Sequence, residues 1–384
     1  MSGRATVTEA KRPNRAVDFR RTPHIVIWEI TRACDLRCRH CRADARPDRH
    51  PLELTTAEGV ALLDQIHELD SPVFVLTGGD PLKRPDLFTL LAHAERLGVP
   101  VAVTPSATPL LTPDAIRRMR DLGVQRLAIS LDGWRPQVHE RLRGEPGSYA
   151  WTLTGIRAAV ACGLPVQINT TATRYNLEGL GAIARMVGEL GATMWSVFFL
   201  VNVGRAGAMQ QLAAQEVEEV FGFLYDLSGR VPFGVRTTAA PHYRRFVLQQ
   251  QARARRARRS ASSRPTDTVG APRVRGVTDG NGLAFVSHTG EVCPSGFLPL
   301  SGGSVRRNGL ADIYRQAPLF RRLRDPIRLE GKCGVCDFRT VCSGSRARAY
   351  AATGNPMAPD PLCTYQPPRW VDPGERASMG RGRA

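Results

Sequence analysis

The sequence contains no long apolar run: its most conspicuous one, residues 194–201, falls far short of the roughly 18 to 20 residues that cross a bilayer as a helix. A membrane-spanning helix is therefore not expected. The N-terminus carries Arg4, Lys11, Arg12, Arg15, Arg20 and Arg21 but no apolar segment of the kind a secretory signal needs. A soluble, cytoplasmic protein is the resulting expectation. Residues 1–23 read as a flexible basic arm, and about two dozen residues are too few for an independent domain. Acidic side chains are scarce, with 35 Asp and Glu against 53 Lys and Arg, a net charge of +18. Such a surplus can serve nucleic acid, but the runs at 253–259 and 380–383 have no interleaved aromatics on which bases would stack. Blocks of like charge are more often solvated and disordered. The charge thus argues against a nucleic-acid partner and leaves an acidic substrate open.

Cysteine, by contrast, is present nine times, and its spacing carries chemistry. Cys34, Cys38 and Cys41 stand in the pattern C-x3-C-x2-C directly after a strand-like apolar run, with no fourth cysteine nearby. A cubane iron-sulfur cluster normally takes four thiolates. Three would leave one iron open, able to chelate the amino and carboxylate groups of a methionine. A structural zinc would need four ligands, and His40 is the only local candidate, too close along the chain to Cys41 to join it. Downstream, Cys333, Cys336, Cys342 and Cys363 supply four thiolates, and the C-x2-C pair brings two of them to one metal centre. Zinc is the rival there. Cysteines clustered at ligand spacings, rather than in disulfide patterns, belong to a reducing compartment. Cys162 and Cys293 have no partner at such spacing, and Cys162 reads as a small core residue.

The rest of the first half alternates strand and helix. Strand-like segments at 24–30, 73–77, 100–104, 126–133, 165–171 and 194–201 are separated by helical ones. The first helix opens at Thr55 with Glu58 three residues on, a capping box. Strands of this kind, apolar and β-branched, suit a parallel sheet buried on both faces. Six such units predict an α/β fold, a partial (β/α)6 barrel with right-handed crossovers and its site at the strands' C-terminal ends. The expected organisation is an arm at 1–23, a barrel at 24–230, a connecting segment at 231–276, a small C-terminal module at 277–367 and a flexible tail at 368–384. The Arg-, Ser- and Pro-rich stretch 251–276 loses all period and predicts a disordered insert.

The cysteine loop, Gly78-Gly79-Asp80-Pro81 after the second strand, Ser130-Leu131-Asp132-Gly133 at the end of the fourth and Arg141-Leu142-Arg143-Gly144 together resemble the radical S-adenosylmethionine (SAM) family. That resemblance implies a [4Fe-4S] cluster on Cys34, Cys38 and Cys41 that passes one electron to SAM and yields a 5'-deoxyadenosyl radical. It also implies that Gly78, Gly79, Asp80 and Pro81 hold the cofactor's amino group, Asp80 standing where relatives have Glu. Ser130 and Asp132 would face its ribose, although Asp132 can equally cap the next segment; Arg143 would meet the methionine carboxylate, and Asn169 and Thr170 would add polar contacts. The C-terminal cysteines resemble the second auxiliary cluster of the SPASM extension. Because Ser345 follows where a further cysteine is expected, one auxiliary [4Fe-4S] cluster is implied, on Cys333, Cys336, Cys342 and Cys363, with Cys293 a bystander or occasional fifth ligand.

Segments 287–291, 294–299, 342–351 and 360–363, with 104–109, narrow the resemblance to the haem-biosynthesis branch of these proteins. This implies a tetrapyrrole substrate whose propionate groups lose carbon dioxide, the auxiliary cluster taking the electron released. Arg205, Arg244, Arg346 and Arg348 are candidates to fork onto propionates. A low-potential donor such as flavodoxin or ferredoxin is the implied partner. A peptide or protein maturase of the same superfamily is the alternative, and a zinc-stabilised nucleic-acid-binding protein the alternative of another class.

Overall fold

The computed structural model describes residues 18–69, 73–261 and 276–371. Its strands and helices alternate: β1 (Ile25–Glu29), α1 (Thr56–Glu68), β2 (Val73–Thr77), α2 (Leu87–Arg96), β3 (Val101–Val103), α3 (Pro113–Asp121) and β4 (Arg126–Ser130). There follow α4 (Pro136–Arg143), α5 (Ser148–Ala161), β5 (Val166–Ala172), α6 (Leu180–Glu189), β6 (Met194–Phe199), α7 (Ala214–Ser228), β7 (Gly234–Thr238) and α8 (Tyr243–Ala261). The C-terminal part holds β8 (Leu283–Val286), β9 (Val292–Cys293), α9 (Leu310–Gln316), α10 (Pro318–Leu323), α11 (Gly331–Gly334) and α12 (Arg346–Thr353).

Among the described residues, nine strands form one sheet in the order β7-β6-β5-β4-β3-β2-β1-β8-β9. The expected α/β organisation stands, and the parallel pairing continues beyond the six anticipated strands. On one side β7 pairs with β6 through Met194 opposite Gly234. On the other, β8 pairs in parallel with β1 through Ile25 opposite Leu283, so the C-terminal segment is joined to the first strand by backbone hydrogen bonds. Only β8 and β9 run antiparallel.

The pattern that makes these strands parallel and buried is visible residue by residue. Val26 and Trp28 of β1, Phe74 of β2, Leu127 and Ile129 of β4 and Trp195 and Val197 of β6 are without exposure. The helices cover this sheet with their apolar stripes, α1 through Leu62, Leu63 and Ile66 and α7 through Val217, Phe221 and Leu224. The Thr55–Glu58 capping box fixes the start of α1, each partner satisfying a backbone N–H that the helix leaves open.

One expectation is overturned. The segment from residue 251 does not begin as a disordered insert: α8 continues unbroken to Ala261. Its first half is anchored by Phe246 against Phe221, with ring centroids 5.9 Å apart. From Gln249 onward the helix holds only Gln, Ala, Arg and Ser, mostly strong helix formers, and positive charge at a helix C-terminus complements the backbone dipole. These terms outweigh like-charge repulsion of a few tenths of a kcal/mol per pair. The rest of the insert, residues 262–275, lies outside the described residues.

Candidate active site

The cysteine loop leaves β1 at its C-terminal end and is held from four directions. Cys34 N–H donates to Arg46 O at 2.7 Å, closing the loop on itself. The turn after β2 lies directly against it: Gly79 N–H donates to Thr31 O at 2.8 Å and Asp80 N–H to Ala33 O at 2.6 Å. This approach demands glycine, since a Cβ on Gly79 would stand 2.3 Å from Ala33 O. The end of α4 supports the far side, with Arg39 N–H donating to Leu142 O at 2.9 Å. Arg205, beyond β6, donates through Nε to Cys38 O at 2.8 Å and through Nη1 to Ala45 O at 2.7 Å.

Cys34 and Cys38 are buried and Cys41 is half-buried, the three packing with Leu36 and Ala45. Each sulfur meets polar hydrogen. Cys34 Sγ accepts from Leu36 N–H at 3.4 Å and lies 3.3 Å from Ser106 Oγ; Cys41 Sγ accepts from Ala45 N–H at 3.5 Å. Cys38 Sγ lies 3.9 Å from Arg143 Nη1. Burial pushes the Cys34 thiol up to about 11 and also raises Cys38, so ionisation calls for a cation at this position. Three thiols backed by N–H groups on a shielded loop fit three corners of a [4Fe-4S] cluster. Among the described residues, no three His, Cys, Asp or Glu side chains are drawn together around a point where one metal ion would sit.

Several side chains expected to face a cofactor are committed within the protein. Asp80 is fully buried: its carboxylate accepts from Thr108 Oγ1 at 2.8 Å and from the N–H groups of Leu82 at 3.2 Å and Ser106 at 3.4 Å. Burial nevertheless lifts it to about 6. Asp80 therefore ties two loops together. Asp132 is fully buried, with Oδ2 at 2.6 Å from Arg143 Nη2 and 3.4 Å from His40 Nε2 and Oδ1 accepting from Thr171 N–H at 2.7 Å. Burial alone would raise this carboxyl, but Arg143 and His40 outweigh it and hold it below its ordinary range. Arg143 is thus aimed by Asp132 toward Cys38. Ser130 and Asn169 stand opposite each other in the β4–β5 register, and Asn169 Oδ1 accepts from Gln167 Nε2 at 2.7 Å.

Part of the site's scaffold escaped the sequence reading. Glu29, at the end of β1, pairs with Arg42 at 2.8 Å and with His288 Nδ1 at 2.9 Å, linking the cysteine loop to the turn between β8 and β9. An acidic residue closing an otherwise apolar strand was the available signal. Ser106 and Thr108 lay in a segment noted only for its resemblance.

At the C-terminal cysteines, Cys342 Sγ accepts from Gly344 N–H at 3.3 Å and Cys336 Sγ from Phe338 N–H at 3.4 Å. Burial drives Cys342 upward and Cys363 to about 11. The flanking Asp360 is buried against Arg348, 3.2 Å away, and also accepts from Ser345 N–H at 2.8 Å. Four such thiols fit a second cluster on the same chemical grounds. Cys293 is paired with Phe285 across β8 and β9, where burial first and then Glu291 and Glu29 push its thiol to about 12. The arginines expected at a propionate are mostly spent. Arg205 braces the cysteine loop, Arg346 donates to Pro356 O at 3.0 Å and Ala358 O at 2.7 Å, and Arg348 holds Asp360 and donates to Ala239 O at 2.7 Å. Arg244 donates one nitrogen to Val277 O at 2.7 Å, and its Nη1 has no hydrogen-bond partner among the described residues.

The family model for the radical SAM superfamily matches residues 28–187, from β1 through α6. The chain is also 40% identical over 346 residues to the AdoMet-dependent heme synthase of Oleidesulfovibrio alaskensis, covering 89% of this chain and 87% of that protein. The chain belongs to the radical SAM superfamily. It is an enzyme of the haem-synthase-like branch, and radical SAM membership implies a [4Fe-4S] cluster and SAM. Pre-heme d1 synthase of Dinoroseobacter shibae is 29% identical over 357 residues, covering 88% of this chain and 85% of that protein. Among solved structures, Streptococcus suis SuiB bound to S-adenosylmethionine shares the radical SAM fold with a TM-score of 0.71 at 15% identity, covering 90% of this chain and 78% of that one. No helix among the described residues is long and apolar enough to cross a membrane.

Proposed function

We propose that this radical SAM enzyme acts on a tetrapyrrole and converts propionate side chains to vinyl groups by oxidative decarboxylation. The observation that supports this reading best is the 40% identity to a heme synthase over 89% of the chain. Cys34, Cys38 and Cys41 would hold the [4Fe-4S] cluster, which together with SAM supplies the hydrogen-abstracting 5'-deoxyadenosyl radical. Gly78 and Gly79 keep the turn after β2 against the loop that carries these thiols. Asp132 and Arg143 place a buried, compensated charge beside Cys38. Ser130, at the C-terminal end of β4 and opposite Asn169 of β5, stands where ligands of such sheets bind.

Removing one hydrogen atom from the carbon next to the ring leaves a substrate radical; loss of carbon dioxide and one electron then leaves the vinyl group. Cys333, Cys336, Cys342 and Cys363 would hold an auxiliary [4Fe-4S] cluster as the first stop for that electron. Of the four arginines, Arg205 and Arg244 each keep a guanidinium nitrogen without a hydrogen-bond partner among the described residues, Nη2 and Nη1 respectively, and these two are retained as propionate contacts. A low-potential flavodoxin or ferredoxin and a cytoplasmic location complete the reading.

The test is anaerobic reconstitution with iron and sulfide, then dithionite and SAM with and without iron-coproporphyrin. Deoxyadenosine formation stimulated by the porphyrin, with release of carbon dioxide and a product lighter by that loss, is the expected result. SAM cleavage with no porphyrin turnover would reject the substrate and turn attention to peptides.

A further inference from the structure

α8 joins two different environments. Its N-terminal half is packed beside the C-terminal cysteines: Arg245 lies 5.8 Å from the centre of the Tyr365 ring and within electrostatic reach of Cys363, Cys342 and Cys336, and Arg244 within that of Cys342. His242, just before the helix, sits 3.5 Å from Asp360. The C-terminal half is open, with residues 251–257 exposed and Arg253, Arg255 and Arg256 among them. From Arg245 to Arg253 the helical rise amounts to about 12 Å, so this basic surface begins about two turns from the cysteine module. No Asp or Glu occurs anywhere in the helix to neutralise it.

We infer that the exposed basic half of α8 docks a small acidic one-electron carrier protein of the flavodoxin or ferredoxin type beside the C-terminal cysteine site. The inference rests on the proposed function in one respect: the electron lost with carbon dioxide must leave the enzyme, and the carrier is the oxidant that receives it, being reduced by one electron. Charge complementarity selects the partner. A bare array of guanidinium groups attracts acidic surfaces at long range and orients the encounter. Nucleic acid is the poorer match, because residues 247–261 contain no aromatic side chain to take a base. The surface also lies on a helix whose other half is locked by Phe246 and the Arg245–Glu218 pair, so the docked carrier would be held in a defined position relative to the module.

The experiment measures binding of an oxidised flavodoxin to the reconstituted holoenzyme by calorimetry over a range of salt concentrations, with no porphyrin present. The expected result is an affinity that falls steeply with salt and drops at least tenfold in the triple variant R253E/R255E/R256E, with a smaller drop in R253Q/R255Q/R256Q, which keeps good helix formers. Dithionite-driven deoxyadenosine formation should stay unchanged in both variants, because the loop carrying Cys34, Cys38 and Cys41 is untouched. Equal flavodoxin affinity in wild type and both variants would overturn the inference. So would loss of duplex DNA binding in the variants with flavodoxin binding intact, which would assign the patch to nucleic acid. Because binding is read without substrate, failure of the tetrapyrrole reading would leave these outcomes unaffected.

Discussion

Among individual residues, Asp360 has the clearest energetic signature. It is buried with Arg348, and its carboxylate also accepts from the N–H groups of Ser345 and Leu362. Burial raises its pKa, while Arg348, His242 and Ser345 lower it more, to about 2 from an ordinary 3.8. A depressed carboxyl stabilises the fold above its unfolded value, and that contribution disappears as pH falls through the folded one. A shift of this size corresponds to about 2 to 3 kcal/mol. D360N keeps the shape but leaves Arg348 without its counter-charge, and a broken buried pair costs about 3 to 5 kcal/mol. Urea unfolding at pH 7 should show that loss, and the variant's stability should fall less than the wild type's between pH 4 and 2; parallel pH profiles would contradict the assignment. Gly79 offers a second test. G79A places a methyl group against Ala33 O, so the loop must move. Iron content after reconstitution should drop by half or more, together with SAM cleavage; full iron loading would show that the turn is free to shift.

At the level of elements, the important link is between β1, the cysteine loop and the β8–β9 turn. Glu29 is buried and held below its ordinary range, because Arg42 and His288 outweigh the effect of burial. E29Q removes the charge that both partners face. Arg42 would then remain packed over Phe285, 4.7 Å from the ring centre, without its carboxylate. Hydrogen exchange in residues 287–292 should quicken and thermal stability should fall by about 1 to 3 kcal/mol, whereas unchanged protection would mean that the strand pairing of β1 and β8 suffices. Much at this scale was legible in the sequence. The alternating strands and helices and the capping box at Thr55 depend on local period and local chemistry. The helical continuation of α8 was obscured by its charge, since composition argued for disorder while propensity and the Phe246 anchor decided otherwise. Arg346 and Arg348 were read as substrate contacts because an arginine's partner is set by what the fold brings near it, here backbone carbonyls and a buried Asp. The role of Asp132 was hidden for the same reason: Arg143 is close in sequence, but His40 and Thr171 arrive from other elements.

For the whole molecule, the question is how two cysteine groups at opposite ends of the chain serve one reaction. β8 carries the C-terminal segment onto β1, the strand from which the first cysteine loop emerges, so the two parts share one sheet. Their surroundings are alike: each group has N–H donors at its sulfurs and a buried acid–arginine pair beside it, Asp132 with Arg143 and Asp360 with Arg348. Yet the reading assigns them opposite tasks, one accepting an electron before hydrogen abstraction and the other receiving one afterwards. The double variant C333S/C336S separates them. Removing two of four thiolates should abolish the auxiliary cluster, so iron should fall from about eight to about four per chain, on the basis of one cubane per cysteine group. Dithionite-driven SAM cleavage should continue, because Cys34, Cys38 and Cys41 are untouched, but vinyl product should fall at least a hundredfold as the substrate radical loses its outlet. C34S should instead stop SAM cleavage altogether while leaving about four irons in place. Full product formation by C333S/C336S would show that the released electron leaves by another route and that the C-terminal cysteines serve structure alone.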